Sequence, residues 1–173
     1  MLFRSQSSGL RLLESSVQGG TPEQSVFDGI DVTVPGLAAL AGLPAGTLRA
    51  ELAAMDAAAK KALADYEPLT PAAIIPALAD GLRATRAARA ALPSSTATPD
   101  ARADADFLLA FKEHDFAEAI ATAAGISIDP LADSETVVQG GSLAVTVRTF
   151  APQGAPITVT AEQVTAPSGW NVE

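Results

Sequence analysis

A single histidine limits the chemistry that this chain can carry. His114 stands among Lys112, Glu113 and Asp115, and Glu118 follows one helical turn later, so an imidazole and a carboxylate can share a helix face. A zinc site needs three or four converging ligands and an open position for water. No cysteine and no second histidine is present to complete one, and the surroundings are those of an ordinary surface histidine in a charged helix. Asp28 and Asp31 flank Gly29 in the run Phe27 to Asp31, a spacing that suits a turn whose carboxylates accept backbone N–H bonds rather than a metal or acid–base pair. Arg83, Arg86 and Arg89 recur every third residue and read as a solvated helix face rather than an anion site. There is no Ser/His/Asp set, nucleophile elbow, Walker loop or dinucleotide-binding glycine pattern. Gly19 and Gly20, ahead of Thr21-Pro22-Glu23, give only a turn and cap signal. The expected catalytic, cofactor-binding and metal-ligating residues of the chain are therefore none.

The charge balance narrows the partners. Twenty acidic residues against eleven Lys and Arg leave a net charge of −9, which opposes nucleic acid or an anionic membrane, since phosphate binding requires clustered cations. The opening residues lack the apolar core of a signal peptide, and no run approaches the roughly 20 apolar residues of a membrane span. Without cysteine the redox environment is unmarked, and the compartment stays open. Hydrophobic residues make up 48% of the chain, too many for a wholly disordered tail, yet much of this is alanine and only 5% is aromatic. Alanine favours helix but buries little area, so the expected core is thin and a partner surface is implied.

The central element is the stretch from Pro99 to Gly125, which joins Ala- and Leu-rich sequence to Thr- and Val-rich sequence. Thr98 can cap it, Pro99 suits its first position, Asp100 complements the macrodipole and Gly125 ends it. Phe107, Leu108 and Phe111 fall on one side, with Leu109, Phe116, Ile120 and Ala123 on another. The expectation is a helix serving two cores, its first half packed on preceding helices and its second on following strands or on a surface outside this chain. Before it, Leu48, Leu52, Met55, Ala59, Leu63 and Tyr66 recur at helical steps with Thr47 as cap. A second helix is expected from Thr70 and Pro71, with Ile74, Leu78, Leu82, Thr85, Arg89 and Leu92 on one side; Pro76 kinks it or delays its start. Together these predict an antiparallel three-helix unit. After Gly125 the period becomes two: Ile126 and Ile128, Val137 and Val138, Leu143 to Val147, and Ile157 to Ala161 read as antiparallel strands opening an immunoglobulin-like sandwich, of which only four or five strands are present. The fold class is thus α+β: a Gly-punctuated loop region at 1–34, helices over 35–125 and a truncated β-sandwich over 126–173. The loop, with Leu2, Phe3, Leu10 to Leu13 and Val26, is expected to lie over a larger body.

The order of these pieces carries a resemblance. The runs LFRSQSSGLRLL (2–13), ESSVQGGTPEQSVFDGID (14–31), DFLLAFKEHDFAEAIATAAGI (106–126) and DPLADSETVVQGGSLAVTV (129–147) together resemble the C-terminal part of large bacterial PIG-L family deacetylases, also called LmbE-like. The resemblance implies a Rossmann-like N-terminal domain that removes an acetyl group from N-acetylglucosamine-type substrates with zinc, followed by a helical and β-sandwich extension. The family's His-Pro-Asp-Asp motif and its later histidine motif do not occur in this chain, so no catalytic or metal residue carries over and zinc belongs to the full-length family only. The resemblance makes this chain a non-catalytic accessory fragment whose partner is a catalytic domain of the same polypeptide, with Arg4, Ser5 and Gln6 near the substrate entrance and export of the whole protein compatible with it. The alternative is a free-standing, non-catalytic carbohydrate-binding or adhesion module built on the sandwich.

Overall fold

Alternating blocks of alanine with leucine, then of threonine with valine, fold into helices followed by strands. The computed structural model describes residue 27, residues 29–158, residue 160, residues 165–170 and residue 172. Backbone contacts divide the chain into residues 1–31 and 32–173. In the first unit, the Ile30 N–H donates to the Phe27 carbonyl at 2.9 Å and Gly29 sits at φ +82°, which forms a turn. The readings of residues 1–26, and of Asp28, lie outside the described residues.

The second unit runs through helix α1 (Leu37–Leu40), α2 (Arg49–Ala64), a 3-10 turn (Pro71–Ile74), α3 (Ile75–Ala91), a second 3-10 turn (Leu92–Ser94), α4 (Pro99–Ala123), and strands β1 (Ser127–Ala132) and β2 (Val145–Phe150). It is a mixed α+β arrangement in which α3 packs against both α2 and α4. The strongest end signals act where expected. The Thr98 hydroxyl accepts the Ala101 N–H at 3.2 Å with Pro99 at the first helical position, as an N-cap should. At the other end of α4 the Ile126 N–H donates to Ala121 O at 2.9 Å and the Gly125 N–H to Thr122 O at 3.0 Å, a Schellman motif with Gly125 at φ +69°. Pro76 does delay its helix: the chain turns as 3-10 through Ile74 before α3 begins one residue ahead of the proline.

Other end signals are overridden. Neither Thr47 nor Thr70 caps with its side chain; the residue before α2 is Leu48, held in the left-handed region at φ +56°. That conformation costs a non-glycine residue about 1 kcal/mol, and burial of the Leu48 side chain in the core offsets it.

The core corrects the expected apolar stripes. On α2 the buried line is Leu52, Met55, Ala58 and Ala62, while Leu63 and Tyr66 face outward. On α3 it is Ile75, Ala77, Leu78, Gly81, Thr85 and Ala88. On α4, Ala101, Ala105, Leu109, Phe116 and Ala123 belong to one cluster with these. The expectation of two cores along α4 therefore fails: both halves pack into the same helical cluster, and Phe107 and Phe111 are 63% and 54% exposed. Met55 and Leu109, both 0% exposed, each contribute about 2–3 kcal/mol through burial.

Strands β1 and β2 form an antiparallel pair in which Ser127 faces Phe150 and Ala132 faces Val145. The alternation sets Ile128, Pro130, Ala132, Val145 and Val147 on one face, and Leu131 and Phe150 on the other. Val137 and Val138, expected in a strand, lie instead in the loop of residues 133–144, tied at its base by the Asp133 N–H donating to Ala144 O at 3.0 Å. Ile157 and Thr158 are not strand residues, and Val159 with residues 161–164 lies outside the described ones.

Candidate functional site

Two arginines on α3 meet two carboxylates on α4 because the helices run antiparallel, with residue numbers of facing partners falling as those on the other helix rise. Arg89 Nε donates to Asp106 Oδ1 at 2.7 Å and Nη2 to Oδ2 at 3.2 Å, a bidentate fork. Its Nη1 donates to Glu113 Oε2 at 2.7 Å, and Arg86 Nε donates to the other oxygen, Oε1, at 2.7 Å. These hydrogen bonds hold Asp106 and Glu113 below their ordinary carboxyl values and raise Arg89 further above the physiological range. The expected solvated arginine face is thus a helix-to-helix clamp, with Arg83 alone of the three pairing within its helix, to Asp80. Each cation is matched by an anion, so the cluster offers no anion site.

His114 lies on the outer side of α4, and its Nε2 is 3.7 Å from Glu118 Oε2. Asp115 is turned to Lys112 at 2.9 Å. Among the described residues no group of three or more His, Cys, Asp or Glu side chains is placed to hold a metal ion. No helix among them is long and apolar enough to cross a membrane. Arg4, Ser5, Gln6, Gly19, Gly20 and Asp28 lie outside the described residues, and Asp31 is exposed.

A concave feature among the described residues lies beside the C-terminal half of α4. It is an open groove of about 430 Å³ whose apolar floor is Pro71, Ile74, Ala119 and Ala123, with Tyr66 at one side and Asp115 and Glu118 along the rim. Tyr66 reaches it because α2 ends at Ala64 and the chain turns there toward Pro71. The groove can receive an apolar side chain and set a cation beside it.

One surface feature escaped the sequence. Phe107 and Phe111 pack edge to face, ring centroids 4.9 Å apart at 78°, on the solvent side of α4. Aromatic residues ordinarily read as core, yet the same helix side carries Asp100, Asp104, His114 and Glu118 at steps of four and three, which is the signal that this side is outward. No family model, no curated protein and no solved structure matches this chain.

Proposed function

We propose that the chain is a non-catalytic accessory region of the kind found C-terminal to the catalytic domain in PIG-L-like deacetylases, and that β1 and β2 supply two strands of an immunoglobulin-like sandwich. The observation that supports this reading is the hairpin itself. Ile128 and Val145 are exposed on one face, and Leu131 and Phe150 on the other. A lone two-stranded sheet is marginal in water, and one that offers apolar side chains on both faces calls for further sheet to cover it. An accessory sandwich docked to a larger enzyme meets that need. The helices lend support in kind: Arg86 and Arg89 of α3 and Asp106 and Glu113 of α4 are engaged in holding the two helices together, which is the use of charge in a scaffold.

The test pairs the purified chain with a zinc-loaded PIG-L-type catalytic domain expressed without its own C-terminal extension. Acetate release from N-acetylglucosamine oligomers should be absent with the chain alone, zinc supplied, and should rise for the catalytic domain when the chain is added and co-elutes with it. Zinc-dependent hydrolysis by the chain alone sinks the proposal. Failure to bind the catalytic domain, together with retention on immobilised N-acetylglucosamine polymer, favours the free-standing carbohydrate-binding module instead.

A further inference from the structure

The outward face of α4 has the layout of a helix-docking seam. Asp100, Asp104, Phe107, Phe111, His114 and Glu118 follow one another at steps of four, three, four, three and four, the spacing that keeps side chains aligned along a neighbouring helix. All six are exposed. The two phenylalanines make the centre, already locked edge to face, so little side-chain freedom remains to be lost on binding. Ala103, Ala110 and Ala117 run beside them at steps of seven and let a second backbone approach closely. Carboxylates stand at both ends. Asp100 and Asp104 make no ion pair among the described residues, while Glu118 has only the 3.7 Å approach of His114. The C-terminal end meets the Tyr66, Ile74 and Ala119 groove, with Glu118 common to both.

From this surface we propose that α4 docks an amphipathic basic helix, one whose apolar side chains cover Phe107 and Phe111, whose next apolar side chain enters the groove, and whose Lys or Arg residues meet Asp100 and Asp104 at one end and Glu118 at the other. Charge selects this occupant over a second copy of the chain. An antiparallel two-fold pairing centred between Phe107 and Phe111 brings Asp100 of one copy against Glu118 of the other at both ends, with only Asp104 against His114 to offset it, and each copy carries a net charge of −9. A basic helix converts both repulsions into attractions. The docking mode is the laying of an apolar helix stripe on a complementary surface, with charge fixing orientation and speeding encounter. It does not depend on the deacetylase reading.

The experiment measures binding of the intact chain to a fluorescent designed peptide of about 20 residues, with Leu at four–three spacing and Lys on both flanks of the stripe. Saturable binding is expected, weakening with salt. The double variant Phe107→Ala/Phe111→Ala should lose at least tenfold in affinity while keeping its helical circular dichroism. Asp104→Asn with Glu118→Gln should weaken binding and flatten its salt dependence, with the phenylalanines intact. A matching peptide with Glu in place of Lys should not bind. Equal binding of the Lys and Glu peptides, no saturable binding, or no loss in the double phenylalanine variant each overturn the proposal. A dimer in sedimentation equilibrium that Phe107→Ala dissolves overturns it in favour of a second copy.

Discussion

The phenyl ring of Phe116 on α4 lies on the backbone of Gly81 on α3, so closely that a Cβ at position 81 would overlap Cε1 and Cζ and stand 2.9 Å from Cδ1. Glycine in a helix interior ordinarily costs about 1 kcal/mol relative to alanine. Here its missing side chain makes the recess that buries the ring to 9% exposure. Thr85, fully buried one turn on, donates its hydroxyl to the Gly81 carbonyl at 2.9 Å, so the recess is built without an unsatisfied polar group.

Gly81→Ala should therefore destabilise the chain by about 1–2 kcal/mol, the overpacking cost exceeding the gain in helix propensity. Urea unfolding measures it. In a Phe116→Leu background the same substitution should be neutral or stabilising; an equal cost in both backgrounds would show that the ring is not what the glycine accommodates.

Phe116→Ala should cost about 3 kcal/mol, because a large buried side chain leaves a cavity between α3 and α4. Phe111→Ala, removing an exposed ring, should cost less than about 1 kcal/mol. Thermal melts of the two variants side by side check the assignment, and comparable losses would move Phe111 into the core.

The Arg89 clamp predicts a direction with pH. Asp106 and Glu113 are held below their ordinary values of 3.8 and 4.5, so their contribution is complete above that range and disappears as pH falls through and below it. The partners are partly exposed and screened, which limits the effect to about 1 kcal/mol. The stability lost on Arg89→Met should be of that size near about pH 7 and shrink progressively as the pH falls below the ordinary carboxyl range. A difference that grows on acidification contradicts the clamp.

At the end of α4 the Schellman turn requires a positive φ, and a Cβ on Gly125 would stand 2.9 Å from Cγ of Pro152. Gly125→Ala should cost about 1–2 kcal/mol. Adding Pro152→Ala should return only the contact part of that loss, since the backbone penalty stays. Full recovery in the double variant would mean that the φ angle carries no cost.

Local chemistry was legible wherever one residue decides the conformation of its own neighbourhood. Thr98, Pro99 and Gly125 marked the ends of α4, Pro76 the delayed start of α3, and the change of period after Gly125 the shift to strands, because caps, missing N–H groups and left-handed turns act within a few residues. The lone histidine and the absence of cysteine were likewise fixed by the sequence. Which side of each helix is buried was not. Alanine is indifferent to exposure, so in α2 the core line passed through Ala58 and Ala62 while Leu63 turned outward, and in α3 it passed through Gly81 and Ala88. A phenylalanine counts as core by type, and only the position of α3 decided that Phe116 is buried while Phe111 is not. The same antiparallel placement turned Arg86 and Arg89 from a solvated row into a clamp, since their partners Asp106 and Glu113 lie 17 to 27 residues away and meet them only across the packed helices.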